Sequence, residues 1–494
     1  MLGPSLSPIR KTLLILDILL VSLAVVLVYQ ERRAVISDNG DPCMNIPLTE
    51  GVYSKDNYEP SLCVLSNGTV WTAWAAYGAA GSQAFIRSVS KNSPGDVTPL
   101  SVNSGMQTRP ICIPIDEAVQ FVWLEKVNQT YTIQSRHTNG QSLSESKKVH
   151  EMPEHAKPWE LQATTSADGA LWISWAQSIR GSSTIECIRI ENGNKKHYSL
   201  GSGSTFNYRP RMAAWGDNGV YLVYDSYANR TYDIFGSGLS PSGQDPSVRI
   251  SSAEEWENRS AIVADKDGAL WAMWVHCQDV IYQDSTIQQK YAILGSRYEN
   301  GKWHSVSDGR ENPEIAPLHY GLLTDFPNPP NLGHMGRRLH PMLKVDESKG
   351  VWLFYEAKAN EGDGTMASKG RLVAHHFLAD QWTDPLMVTE GHIYYELPHN
   401  ESVGEQLQLA SQDIIGDELH LSTVTLSRDL PHVPEKMRNV SLDQWKEIRL
   451  PYPDMSSRQK NDLPGDVQGS YTLYWADLHC HSAASIEMEG EPDE

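Results

Sequence analysis

Between Pro60 and about Pro451 one pattern of polar and apolar positions keeps returning: a polar turn with Gly, then a short run closed by two aromatics three residues apart. The copies read Asn67-Gly-Thr-Val-Trp71-Thr-Ala-Trp74, Asp168-Gly-Ala-Leu-Trp172-Ile-Ser-Trp175, Asn218-Gly-Val-Tyr221-Leu-Val-Tyr224 and Asp267-Gly-Ala-Leu-Trp271-Ala-Met-Trp274. Lys takes the Asn or Asp position in Lys349-Gly-Val-Trp352-Leu-Phe-Tyr355, and a degenerate copy ends at Trp123. The closing aromatics fall at 74, 123, 175, 224, 274 and 355, so the intervals are 49, 52, 49, 50 and 81. Asn-Gly and Asp-Gly supply the positive φ angles of a tight turn, at which an outer strand turns back into an inner one. A second strand-like run follows each aromatic run, as in Thr184 to Ile190 or Lys290 to Arg297, and then a turn into a short fourth run. Four strands per repeat make one propeller blade, and blades bury their faces only by closing around an axis. The pattern therefore predicts an all-β fold, a β-propeller of about seven four-stranded blades over residues 59–457. Six copies carry the aromatics, and a seventh with its signature nearly lost lies around Asp417 to Val424. Six blades is the alternative, and the Trp pairs are expected between neighbouring blades.

The N-terminus has a different pattern. Leu13 to Val28 is apolar except for Asp17 and Ser22, with Arg10 and Lys11 before it and Arg32 and Arg33 after it. As a helix, residues 13–29 would span about 26 Å at ~1.5 Å per residue, close to the thickness of a hydrocarbon core. Val26-Leu27-Val28-Tyr29-Gln30 offers large side chains where signal peptidase needs small ones. Residues 1–33 are thus expected to be an uncleaved signal anchor with one transmembrane helix, a cleaved signal being the alternative. Residues 34–58 would be a linker. The bulk of the chain would then be membrane-anchored and extracytoplasmic, periplasmic or on the cell surface.

Composition narrows the classes. Lys and Arg number 41 against 61 Asp and Glu, a formal net charge of −20, which offers no basic stripe for a phosphate backbone and argues against nucleic acid as a partner. Trp and Tyr, 15 and 21, far outnumber the 7 Phe, and 36 Gly with 28 Pro suit a turn-rich β protein. Cys43, Cys63, Cys112, Cys187, Cys277 and Cys480 have no C-x-x-C pair. Cys43 and Cys63 could bridge in an oxidising compartment, but buried thiols in strands are the commoner arrangement. Six N-x-S/T sequons, at Asn67, Asn128, Asn229, Asn258, Asn400 and Asn439, bear on glycosylation only in a eukaryotic source.

The 81-residue interval holds an insertion at about 305–336 that runs into Leu332 to His340. Its polar groups His319, Asp325, His334, Arg337, Arg338 and His340 are candidates for a pocket over the axial channel, the two arginines clamping an acidic ligand. The ligand could be a small molecule, a glycan or a protein. A solvated surface loop is the alternative. His375 and His376 point to opposite faces of a strand, cannot share a metal from one face, and read as structural.

Near the C-terminus, Tyr471 to His481 reads as a strand on which His479 and His481 share a face with Asp477, the geometry for holding one divalent cation. Ala476-Asp-Leu-His-Cys-His-Ser482 resembles the first motif of the polymerase and histidinol phosphatase (PHP) family of metal-dependent phosphoesterases. The resemblance covers about ten residues. It implies a distorted β/α barrel with two or three metal ions, of zinc or manganese type, activating water for phosphoester hydrolysis, with His479 and His481 among the ligands. The family often continues with Ser-Asp-Gly, where this chain has Ser485-Ile-Glu487, which leaves the role of Glu487 open. Further ligands would have to come from later strands, and only thirteen residues follow His481, so residues 458–494 are expected to be a linker and the truncated start of such a domain. A propeller followed by this motif also resembles large bacterial surface proteins. On that expectation the chain is the binding or scaffolding front of a longer hydrolase and catalytically incomplete. The alternative for Tyr471 to His481 is a strand closing the propeller against its first blade.

The turn phrase also resembles the Asp-box of sialidase-type propellers, although Ser166-Ala-Asp168-Gly169 lacks the residue that the box places between Asp and Gly. A glycan-acting propeller of this kind predicts carboxylates and arginines clustered at one mouth of the channel. A purely structural surface protein is the third possibility. Need for metal separates them, since the PHP-like enzyme requires it and a sialidase-type propeller need not.

Overall fold

In the computed structural model each repeat forms one sheet, antiparallel but for a short parallel pairing of Ser402–Val403 with Met342–Asp346, and in five blades a Gly-containing turn joins the first strand to an aromatic second strand. The structure describes residues 46–49, 56–78, 81–101, 105–140, 142–179, 182–201, 205–228, 231–251, 256–281, 287–305, 340–358, 370–378, 381–383, 385–390, 394–400, 402–412, 418–427 and 430–431. All of these belong to the compact unit Asn45–Glu494. Among them are seven sheets, the blades of a propeller. Blade 1 consists of Asp56–Val64, Val70–Gly78 and Gly81–Ser90, with an outer edge split between Ser93–Pro94 and Thr98–Pro99. Blades 2 to 5 begin with Met106–Ile115, Lys157–Thr165, Asn207–Trp215 and Trp256–Ala264, blade 6 with Met342–Asp346 and blade 7 with Tyr394–Glu396. The count is seven, and six is set aside.

Two details differ from the sequence-based expectation. The first strand of each blade is the one that lines the axial cavity, so the recurring turn leads from an inner strand outward and not from an outer strand inward. The reason is space. Seven strands converge at the axis, and large aromatics fit one strand further out, where the wedges between blades have opened. Ring closure also begins before residue 59. Ile46–Pro47, inside the expected linker, pairs antiparallel with Leu419–Thr425 as the outer strand of blade 7, and Leu48 N–H donates to the Leu419 carbonyl at 2.7 Å. The last blade is therefore closed by a segment that precedes the first. The anchor at 13–29 and the segment 458–494 lie outside the described residues. Among the described residues no helix is long and apolar enough to cross a membrane.

The aromatic pairs explain why the repeat coheres. Residues three apart on a strand point to opposite faces, so a blade that carries both aromatics can offer one ring to each neighbour. Trp271 packs with Leu343, Leu353 and Tyr355 of blade 6, whereas Trp274 packs with Tyr221, Val223 and Ile234 of blade 4. Trp172 likewise faces Val220, Leu222 and Tyr224 of blade 4, while Trp175 faces Ile111 and Val122 of blade 2. Trp74, Trp123, Trp172 and Trp175 are fully buried. Each such ring removes roughly 150–250 Å² from water, a term of several kcal/mol at about 25 cal/mol per Å².

Turn and first aromatic recur together because they are bonded. Asp265 accepts the backbone N–H groups of Asp267 and Ala269 at 3.0 and 2.9 Å and the indole N–H of Trp271 at 2.9 Å. Asp346 does the same for Gly350 N–H and the Trp352 indole, and Ser166 accepts the Trp172 indole at 2.9 Å. The two adjacent histidines of blade 6 are structural. His375 lies 3.2 Å from the Tyr355 hydroxyl and 2.9 Å from the Thr383 carbonyl, and His376 pairs with Asp346 at 2.6 Å while stacking on Trp352. Cys63, Cys112 and Cys187 are buried free thiols.

Candidate functional site at the propeller axis

In five successive blades the pairing of the first two strands slips at one place: between Tyr58 and Ser61, Thr108 and Ile111, Trp159 and Gln162, Tyr208 and Arg211, and Asn258 and Ala261. One residue in each slip takes a left-handed backbone conformation that non-glycine residues seldom adopt. They are Glu59, Arg109, Glu160, Arg209 and Arg259, with φ of +53°, +51°, +53°, +49° and +57°. Such strain persists only where the surroundings enforce it and is frequent at functional sites. A bulge re-aims its side chain, and five bulges in one register aim five charged side chains from the same height. Pro60, Pro110 and Pro210 follow three of them, which a bulge tolerates because the ladder asks for no N–H there.

The opposite charges meet. Glu59 accepts the Arg109 backbone N–H at 2.7 Å and stands 3.4 Å from its guanidinium. Arg109 reaches the other way to Glu160 at 3.6 Å, and Glu160 meets Arg211 at 3.6 Å. Arg209 is held from behind by the fully buried Asp225 at 3.4 Å, which also accepts the Arg259 backbone N–H at 2.9 Å. A chain of ion pairs thus passes from blade 1 to blade 4, and Asp225 links blade 4 to blade 5 through a backbone hydrogen bond.

Blades 6 and 7 complete the wall of a cavity of about 530 Å³ with His340, Lys344, Glu356, Glu396 and His399. Lys344 donates to the carbonyls of Pro398 and Asn400, and Glu356 accepts the Tyr395 backbone N–H at 2.8 Å. Blade 7 is tied to blade 1 at the same level, where His399 N–H donates to the Leu62 carbonyl at 2.7 Å. At the turn end, a second cavity between blades 1, 2 and 7 has Asp116 as the sole ionisable group in its wall. The axial mouth therefore holds the richer chemistry.

Its carboxyl groups are driven apart. Burial would lift Glu160, but Arg109, Arg211, Arg209 and His340 together outweigh it and hold the group at about 2. Burial lifts Glu396 to about 7, with Arg211 and Lys344 countering only part of the effect. Burial lowers His399 to about 3, helped by Lys344 and Arg211, so its imidazole is neutral. Asp225 is raised by burial despite Arg209 and the Arg259 N–H. At neutral pH the cavity combines a fixed anion at Glu160 with a carboxyl at Glu396 that can give or take a proton.

Of the candidates named from sequence, His340 lines this cavity. His319, Asp325, His334, Arg337, Arg338, Asp477, His479 and His481 lie outside the described residues. Among the described residues no three His, Cys, Asp or Glu side chains converge as a metal site. The sequence reading missed the ring of bulge residues, although a signal exists. They recur at steps of 50, 51, 49 and 50, eight residues before Asn67, Asp168, Asp217 and Asp267 and seven before Asp116. The mixture of Glu and Arg hides the register when residue types alone are compared.

No protein-family model matches the chain, and no curated protein does. Solved structures similar to it include the polysaccharide lyase Uly1, at 11% identity and a TM-score of 0.47 over 76% of this chain and 91% of that one. The Hadza microbial sialidase Hz136 matches at 8% identity and a TM-score of 0.42, over 78% of this chain and 68% of its own. The α-L-arabinanase of Penicillium chrysogenum, solved with arabinobiose, matches at 10% and 0.38, over 78% and 98%. Likeness at this level carries no argument about activity, and the propeller itself rests on the strand pairing of this chain.

Proposed function

We propose that the propeller acts on a glycan held at its axial mouth, with Glu396 as the proton-transferring group and Glu160 as a fixed anion. The observation that carries this reading is the presence, in one cavity, of a carboxyl held ionised at about 2 and another lifted to about 7. Cleavage of a sugar linkage needs a group able to exchange a proton near neutral pH, commonly beside a second carboxylate. The cluster of carboxylates and arginines at one mouth is also what a glycan-acting propeller predicts. Arg109, Arg209 and Arg211 bring three guanidinium groups to the neighbourhood of Glu160, donors suited to sugars that carry a carboxylate.

The test is product release from a panel of acidic and neutral polysaccharides over a pH series, with the wild type and Glu396→Gln. If Glu396 donates the proton, the rate falls as pH rises through about 7, and the substitution lowers it by roughly 10²–10⁴-fold. No release from any polysaccharide, or a fully active Glu396→Gln, overturns the reading.

A second reading rests on Asp477-Leu-His479-Cys-His481. On it the propeller is the membrane-anchored ligand-binding front of a PHP-like phosphoesterase, and His479 and His481 would hold a divalent metal with ligands from a completed domain. Phosphoester hydrolysis that requires added metal and survives Glu396→Gln would favour it.

A further inference from the structure

Resting on the glycan reading, we infer that the open aromatic rings of blades 3, 4 and 5 form a stacking track for the sugar chain that leads into the axial mouth. Trp159 and Tyr208 stand one residue before Glu160 and Arg209 on their inner strands, and Trp256 opens the inner strand of blade 5. Phe206 directly precedes the inner strand of blade 4, and Tyr227 and Tyr232 lie between that blade's second and third strands, at the same end. Ring centroids follow one another at 6.1 Å from Trp159 to Tyr208, 6.1 Å from Tyr208 to Tyr232 and 5.7 Å from Tyr232 to Trp256. Phe206 lies parallel to Tyr208 at 6.3 Å, and Tyr227 sits 5.1 Å from Tyr232.

Apart from Trp256, which also packs against the core between blades 5 and 6, these rings differ in kind from the aromatics between blades. The inter-blade Trp172 and Trp175 are fully buried, whereas the six mouth rings are partly open to solvent, Phe206 at 38%. A contiguous open apolar surface on a soluble domain marks a binding site. Its continuity with a cavity lined by guanidinium and carboxylate groups selects the occupant. A pyranose has an apolar C–H face that fits a ring and a hydroxyl rim that fits charged donors and acceptors, so an oligosaccharide satisfies both surfaces at once.

Calorimetric titration of Glu396→Gln protein with uronate-containing oligosaccharides of increasing length tests the track. Affinity is expected to rise with length and to fall about tenfold for the longest chain when Tyr208→Ala or Tyr232→Ala is added, in line with the worth of one aromatic contact. Tyr208→Phe keeps the ring and should keep the affinity, which separates loss of stacking from loss of fold. Length-independent affinity, or Ala variants that bind the longest chain undiminished, overturns the track and leaves the axial reading standing. Absence of binding at every length overturns the axial reading and the track with it.

Discussion

Glu160 and Glu396 share a cavity and pull stability in opposite directions with pH. The folded value of Glu160, about 2, lies below its ordinary 4.5, so its contribution is present above pH 4.5 and is lost as pH falls from 4.5 through 2. Glu396, at about 7 against an ordinary 4.5, behaves oppositely: the folded state holds its proton longer, and stability is lost as pH rises from 4.5 through 7. Each shift is worth at most about 3 kcal/mol, less in practice because the groups face a cavity and are not sealed in protein. Thermal unfolding should therefore show Glu396→Gln more stable than wild type at pH 8 and no more stable at pH 4. Glu160→Gln should be less stable at pH 7, where Arg109 and Arg211 lose its charge, with the deficit shrinking toward pH 3. A pH-independent effect of both substitutions would contradict these assignments. A residue whose removal stabilises the fold while abolishing activity is one retained for its chemistry.

At the scale of the strand, one element accounts for most of the architecture. In blades 3, 4 and 5 the second strand carries an aromatic to each neighbour, and in blades 3, 5 and 6 the preceding turn fixes the first indole through Ser166, Asp265 or Asp346. Trp172→Ala should cost about 3–5 kcal/mol, because it empties a fully buried inter-blade space. Ser166→Ala, which removes one acceptor from the same indole, should cost about 1 kcal/mol. Chemical denaturation of the two variants checks the order, and equal losses would mean that the turn and not the ring holds the blades. This element is also what made the fold legible in the sequence, since aromatics at fifty-residue spacing are few and large. The site was harder to read. Glu59, Arg109, Glu160, Arg209 and Arg259 occupy one structural position with two opposite charges, and only the bulge in the strand pairing unites them. Glu396 and His399 come from blade 7, where the aromatic signature has faded and no repeat points to them. His340 could be named because it closes the long interval, and the cavity receives it from blade 6.

At the scale of the molecule, ring closure turns seven similar sheets into one asymmetric site. Ile46–Pro47 completes blade 7, and the Leu62–Pro398 bridge joins blades 7 and 1 at the axis, which brings Glu396 and His399 around to face the arginines of blades 2 and 4. Neither half of the ring would assemble the pair of carboxyls alone. Blades 1 to 5 supply the charged bulge residues and the ionised Glu160, and blade 7 supplies the carboxyl that titrates. The most direct measurement is a crystal structure of Glu396→Gln protein with an oligosaccharide that the wild type cleaves. A sugar residue is expected inside the axial cavity, hydrogen-bonded to Arg109 or Arg211 and with a linkage beside position 396. Sugar bound elsewhere on the molecule, with the axial cavity filled by solvent alone, would contradict it.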